Sequence, residues 1–215
     1  MDSLNPADVW RDVGSRISFH TSDTASEVPE QAGCYGWFLP LWLPSPESEG
    51  VEGEDLQAFM DSVTTYYRYD TKAHATAVYH WDSIGLTVNK NRTPEATSTM
   101  QRAWKSVEAD GVVRETFKRL LMEASLFMPP LYVGRTDNLR TRYYQHVSGN
   151  TDRNNFKKRF EEHARAEGLP LRVIDLIFMT VRVTRKDHDV LRDRELTSLL
   201  ESLILRTSGP VFSLK

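Results

Sequence analysis

A segment in the last third of the chain combines an arginine and a histidine at helical spacing. Residues 131–146 predict a short apolar strand, a glycine turn and then a helix. Arg142 and His146 are four positions apart, so they share one face of that helix, and Tyr132 on the strand can face the same cleft. A guanidinium holds phosphate through two parallel hydrogen bonds, and an imidazole donates to phosphate or moves a proton near neutral pH. The segment therefore indicates phosphate chemistry.

A carboxylate near the end of the chain is a candidate for the same site. Glu201 is flanked by leucines and an isoleucine on a predicted helix. A carboxylate beside such an apolar stripe needs a partner, and a divalent metal ion is a suitable one. Taken singly, Arg142 is better explained as a solvated helix residue and His146 as a surface histidine, so it is the combination that points to catalysis.

This combination resembles the signature of the GIY-YIG endonuclease family. The second half of that signature is tyrosine-aliphatic-glycine, then a helix with arginine and, one turn on, histidine. The matching residues here are Tyr132, Gly134, Arg142 and His146. The predicted order of the elements that follow (helix, helix, strand, helix) also agrees with the family.

Gly33-Cys34-Tyr35 resembles the first half of the family signature. Glu201, with Pro210 after it, resembles the metal-holding glutamate of the family. The resemblance covers residues 30–39 and 131–215. Three departures are visible. The two tyrosine motifs are 97 positions apart instead of lying in one short hairpin, Cys34 replaces an aliphatic residue, and Ser213 stands where asparagine is frequent.

The resemblance implies a mechanism. Glu201 would hold one divalent ion, with Mg²⁺ expected and Mn²⁺ as the alternative, and Arg142 would neutralise charge that develops on the phosphate. Tyr35 would orient or deprotonate the attacking water, while Tyr132 and His146 would position water and phosphate. The identity of the general base stays open.

The expected function is therefore a metal-dependent endonuclease that hydrolyses phosphodiester bonds in DNA, by analogy a restriction or defence nuclease. Two alternatives are kept. One is an RNA nuclease, and the other is a catalytically idle module that binds nucleic acid. Tyr79 is the rival of Tyr35 for completing the site, although no glycine comes two residues before it as Gly33 does before Tyr35.

The elements predict an α+β fold, with a small, mainly antiparallel sheet flanked by helices. A nuclease core is predicted from residues 1–39 and 130–215, and a mostly helical insertion from residues 40–129. Apolar patterning predicts strands over 33–39, 77–81, 131–134 and 172–183, and helices over 5–13, 100–107, 113–124, 136–147, 156–166 and 189–206. Residues 44–55 predict a mobile acidic loop.

Charge is unevenly distributed along the chain. Residues 131–215 carry 16 Lys+Arg against 11 Asp+Glu, and residues 1–130 carry 11 against 19, so balances of +5 and −8 give the net −3. A polyanion would therefore meet the C-terminal part. The expected contacts with the nucleic-acid backbone are Arg135, Arg153, Lys157, Lys158 and Arg159. The insertion has a balance of −4, so a protein partner or autoinhibition is as consistent with it as base recognition.

Composition excludes several other classes. Cys34 is the single cysteine, which rules out an internal disulfide and a multi-cysteine zinc site. The first six residues lack the basic and apolar regions of a signal peptide, and no apolar run reaches the length of a membrane span. We therefore expect a cytoplasmic protein with no membrane partner.

Overall fold

The computed structural model describes residues 16–41, 56–67, 73–79, 82–88, 95–149, 156–166, 168, 171–182, 190–208, 210 and 212. These residues belong to two compact units, Met1–Pro40 with Met122–Lys215, and Leu41–Leu121. The C-terminal border of the second unit thus falls inside a helix rather than at the predicted position near Pro129. The predicted helix over 5–13 and the predicted acidic loop over 44–55 lie outside the described residues.

The strands in chain order are β1 (Ile17–His20), β2 (Gly33–Phe38), β3 (Ala73–Tyr79), β4 (Asp82–Val88), β5 (Tyr132–Thr136) and β6 (Ile177–Arg182). The described helices are α1 (Leu56–Tyr67), α2 (Ser98–Ala109), α3 (Gly111–Ala124), α4 (Leu139–Ser148), α5 (Phe156–Ala166) and α6 (Val190–Ser208). In the first unit, four antiparallel strands form one sheet in the order β1-β6-β2-β5. The predicted α+β class with a small antiparallel sheet is confirmed.

Strand β2 lies at the centre of this sheet and all six of its residues are buried. It pairs with β5 on one side and with β6 on the other, and its register sets Tyr35 opposite Gly134 and Trp37 opposite Tyr132. Successive side chains of a strand point to opposite faces. Tyr35 and Trp37 therefore share one face of the sheet, and Cys34 lies on the other.

Helices cover both faces of the sheet. On the tyrosine face, the Trp37 ring stacks on Tyr143 of α4 and on Phe156 of α5, with centroids 5.5 and 5.9 Å away. On the opposite face, the Cys34 thiol donates to the backbone carbonyl of Thr197 in α6 over 3.5 Å. Because β2 is enclosed in this way, its side chains form a continuous apolar run rather than an alternating one.

The start of α4 is attached to the loop that precedes β2. The amide of Leu139 donates to the carbonyl of Gln31 over 3.0 Å, and Arg140 Nε donates to the carbonyl of Val28 over 2.7 Å. The N-cap is Asn138, whose side chain accepts from the Thr141 amide. The sequence predicts a helix that begins at Thr136, but Thr136 is the last residue of β5 and its hydroxyl donates to the Asn138 carbonyl.

The second unit contains α1, α2, most of α3 and an antiparallel hairpin of β3 and β4. Its apolar cluster is built on Leu56 and Trp104, with the Phe59 ring stacked on Trp104 at 5.5 Å. The helices α2 and α3 match the predicted stripes, whereas α1 and β4 are absent from the predicted elements. A hairpin depends on cross-strand partners, which the periodicity of one strand does not reveal.

Two further differences concern the sheet. Strand β1 is absent from the predictions because four residues are too few for a clear pattern. The predicted strand over 172–183 begins instead with a 3-10 turn at Val173–Asp175. Among the described helices, none combines the length and the apolar character that crossing a membrane requires.

Candidate active site

Strands β2 and β5 bring two tyrosines together from distant parts of the chain. The rings of Tyr35 and Tyr132 stack with centroids 6.1 Å apart and planes at 23°. Gly134 lies opposite Tyr35 in the register, and a Cβ on Gly134 would collide with the Oη and Cζ atoms of Tyr35. Glycine is therefore required here because the tyrosine ring closely approaches the backbone of β5.

Helix α4 supplies two groups that meet the Tyr35 hydroxyl. Arg142 Nε donates to Tyr35 Oη over 2.9 Å, and His146 Nε2 lies 2.9 Å from the same oxygen. Because Arg142 can only donate, the proton of the hydroxyl is free to point at His146, which then accepts through Nε2. Arg142 Nη1 also donates to Gln145 over 3.1 Å, so the guanidinium is held at two points.

Burial keeps this hydroxyl and imidazole neutral. Tyr35 and His146 are 2% and 3% exposed. Burial, together with the positive charges of Arg142 and Arg159, lowers the pKa of His146 to about 3. Burial raises the pKa of Tyr35, and Arg142 acts against that rise. At neutral pH the pair is therefore a phenol beside a neutral imidazole, with a cation in contact.

The other side of the site holds a charged pair. Arg135 Nε lies 3.2 Å from Glu201 Oε2, and the two side chains are 31% and 24% exposed. Helix α6 carries Glu201 and contacts both β5 and β2. Burial, and next the negative charge of Glu201, raises the pKa of Cys34 to about 11, so the thiol stays protonated and unreactive.

An open cleft of about 460 Å³ joins these groups. We call the part around Tyr35, Arg142 and His146 the buried end, and the part around Arg135 and Glu201 the open end. Tyr132, Gly134, Thr136, Asp137 and Gln145 also line the cleft. Of the predicted catalytic residues, Tyr35, Tyr132, Arg142 and Glu201 line it directly, and His146 lies behind Tyr35.

The carboxylates that line the cleft are of the type that holds a hard, hydrated cation. Glu201 and Asp137 both line the cleft. No cluster of three or more His, Cys, Asp or Glu side chains is found among the described residues. Mg²⁺ keeps several waters and is commonly held by one or two carboxylates together with phosphate oxygens, so a single carboxylate is sufficient. Glu201 therefore fits the metal that the family resemblance implies.

The structure separates the three neighbouring basic residues of α5. Lys158 is exposed, whereas Lys157 Nζ donates to the carbonyl of Val147 near the end of α4 over 2.8 Å. The Nε and Nη2 atoms of Arg159 are buried and have no hydrogen-bond partner within the described part of the chain. Of these three cations, Lys158 is thus the one placed to meet solvent. Arg153 lies outside the described residues.

Sequence reasoning missed three residues that line the cleft, namely Thr136, Asp137 and Gln145. Gln145 is three positions after Arg142, and this spacing on a helix is a signal that could have identified it. Asp137 directly follows β5, where a polar residue after a strand resembles an ordinary turn. Tyr79, the rival of Tyr35, lies on β3 in the second unit, and its side chain is outside the described residues.

The chain was compared with protein-family models, curated proteins and solved structures, and none of them matches it.

Proposed function

We propose that the chain is a metal-dependent endonuclease of the GIY-YIG type that hydrolyses phosphodiester bonds in DNA. The observation that carries this proposal is the Tyr35 hydroxyl, which lies 2.9 Å from both Arg142 Nε and His146 Nε2 in a cleft that also contains Glu201. Phosphoryl transfer requires a positioned nucleophile and positive charge near the phosphoryl oxygens. The buried end would position the attacking water, and Arg142 with Arg135 would supply the positive charge.

In this mechanism the Tyr35 hydroxyl contacts the attacking water. To accept a proton from that water, Tyr35 must give up its own, and His146 Nε2 is 2.9 Å away and neutral. As water attacks phosphorus, its proton passes to Tyr35 while the phenolic proton passes to His146. The pKa of His146 is low in the free protein. Negative charge that builds on the phosphate during the reaction would raise the proton affinity of His146.

Arg142 has two tasks in this scheme. Its Nε–H would stabilise the partial negative charge on the Tyr35 oxygen while the phenolic proton moves to His146. Its other N–H groups would contact the phosphoryl oxygens, where charge develops in the transition state. The contact with Gln145 holds the guanidinium in place before substrate arrives.

Glu201 would hold the divalent ion, with Mg²⁺ expected and Mn²⁺ as the alternative. When bound, that ion supplies positive charge that polarises the phosphate and stabilises the leaving oxygen. By analogy, we propose a restriction or defence nuclease as the biological setting.

Plasmid cleavage tests the proposal. Supercoiled DNA and a structured RNA are incubated in parallel with Mg²⁺, Mn²⁺ or excess chelator. We expect DNA cleavage that requires metal and that falls at least about 100-fold in Glu201→Gln. Glu195→Gln, at an exposed position of the same helix, is the matched control and should cut like wild type.

Each alternative gives a different result. Full activity of Glu201→Gln, or cutting in excess chelator, would overturn the metal-dependent mechanism. Cleavage of RNA alone would assign the same chemistry to a different substrate. Salt-dependent binding without cleavage in either metal would instead favour the idle binding module.

A further inference from the structure

The ion pair between Arg135 and Glu201 occupies the carboxylate that the proposed function assigns to metal. Arg135 Nε lies 3.2 Å from Glu201 Oε2, so one carboxylate oxygen already has a cationic partner. A divalent cation approaching Glu201 would meet both this occupied oxygen and the positive charge of the guanidinium. Arginine does not lose its proton in proteins, so Glu201 Oε2 is released only if the Arg135 side chain moves.

The surroundings of the pair allow such a movement. Both side chains are partly exposed, 31% for Arg135 and 24% for Glu201, and both line the open cleft. Solvent reaches this pair, so it is weaker than a fully buried ion pair and can exchange its partner more easily. A phosphate group is a strong competitor because it accepts two parallel hydrogen bonds from one guanidinium.

Arg142 is unsuited to the same exchange. Its Nε donates to Tyr35 and its Nη1 donates to Gln145, so the guanidinium is already fixed at the buried end. Arg135, in contrast, is paired with a carboxylate, and a phosphate can take the place of that carboxylate.

We infer that Arg135 is an internal counter-ion that holds Glu201 until a nucleic-acid phosphate draws the guanidinium away, so that cation and nucleic acid bind cooperatively. The inference rests on the proposed function, since it takes Glu201 as the metal ligand. Cooperativity of this kind is reciprocal, because the phosphate raises the affinity for the cation as much as the cation raises the affinity for the phosphate.

Direct measurement of Mn²⁺ binding by electron paramagnetic resonance tests the inference without measuring cleavage. The proteins are wild type, Arg135→Gln, Glu201→Gln and the control Arg206→Gln, which removes the same charge from an exposed position of α6. Without nucleic acid, we expect Arg135→Gln to bind Mn²⁺ about 3- to 10-fold more tightly than wild type. Glu201→Gln should lose the site, and Arg206→Gln should match wild type.

A second series adds a short phosphorothioate duplex, with a correction for the Mn²⁺ that the duplex binds alone. The duplex should raise the Mn²⁺ affinity of wild type about 3- to 10-fold more than that of Arg135→Gln, in which no guanidinium has to leave Glu201. Circular dichroism verifies that each variant is folded.

The possible outcomes separate the two proposals. If Glu201→Gln loses the site while Arg135→Gln binds like wild type or more weakly, the counter-ion inference is overturned and the proposed function stands. If Glu201→Gln binds Mn²⁺ as well as wild type, Glu201 is not the ligand and both fail. Equal tightening in Arg135→Gln and Arg206→Gln would also overturn the inference, because net charge alone would then explain the effect.

Discussion

The two ends of the cleft hold their polar groups in opposite ways. At the buried end, Tyr35 and His146 are almost fully enclosed, neutral and joined by a hydrogen bond. At the open end, Arg135 and Glu201 are charged, partly solvated and paired. An enclosed hydrogen bond is insensitive to salt and fixes geometry, whereas a solvated ion pair is weak and exchangeable. The difference suggests that the buried end orients the reacting groups and the open end exchanges ligands.

The largest effect is expected from Tyr35→Phe. This change keeps the ring that packs against Tyr132 and removes the oxygen that Arg142 and His146 contact. We expect DNA cleavage to fall about 100- to 10,000-fold, the range typical of lost general acid–base catalysis. Single-turnover cleavage with saturating Mg²⁺ measures this loss.

Tyr144→Phe is the matched control because Tyr144 is half exposed on the same helix as Arg142. Its cleavage rate should equal that of wild type. Undiminished cleavage by Tyr35→Phe would show that the buried end does not take part in the reaction. The structural difference between the two ends would then be unrelated to catalysis.

The pH dependence of stability is the second test. His146 binds a proton below about pH 6.5 when unfolded, but only below about pH 3 when folded. Between these values the unfolded state binds more protons, so the free energy of unfolding must fall as the pH falls through this window. The contribution of His146 to the free energy of unfolding is fully present above about pH 6.5. As the pH falls below that value, this contribution decreases by at most about 1.4 kcal/mol per pH unit.

Urea denaturation of wild type and His146→Gln between pH 7.5 and pH 4 measures this effect. The difference in free energy between the two proteins should shrink as the pH falls. Burial also lowers the pKa of His20, which acts in the same direction in both proteins and therefore cancels in the difference. Parallel pH profiles would mean that His146 titrates normally and that the buried end is not dry.

The smallest effect on function is expected from substitutions in α5, where an exposed cation and a partly buried cation are neighbours in sequence. Lys158 is exposed, whereas two guanidinium nitrogens of Arg159 are buried. Lys158→Gln should weaken DNA binding a few-fold and reduce the slope of log affinity against log salt by about 1, as expected for one lost phosphate contact. Fluorescence anisotropy over a range of salt concentrations measures both quantities.

Arg159→Gln provides the comparison for Lys158→Gln. Because two guanidinium nitrogens of Arg159 are buried, Arg159→Gln should change the free energy of unfolding and leave the salt slope close to that of wild type. If instead Arg159→Gln lowers the slope and Lys158→Gln does not, the exposed face of α5 does not contact DNA.

Local features of this protein could be predicted from its sequence. The helix over 156–166 matches its predicted bounds, and α4 sets Arg142 and His146 one turn apart as their spacing requires. The apolar run at Gly33–Phe38 is a buried strand, as predicted. These features depend on periodicity and on residues a few positions apart, so the necessary information lies within each segment.

The sequence by itself thus determined which residue types could do phosphate chemistry and which segments carry them. Tertiary structure alone decided that Tyr35 and Tyr132 stack across β2 and β5, that Arg135 is the partner of Glu201, and that two guanidinium nitrogens of Arg159 are buried. The pairing of β2 with β5 joins segments 97 positions apart. Strand pairing, ion partners and burial depend on which distant surfaces meet, and no local pattern encodes that contact.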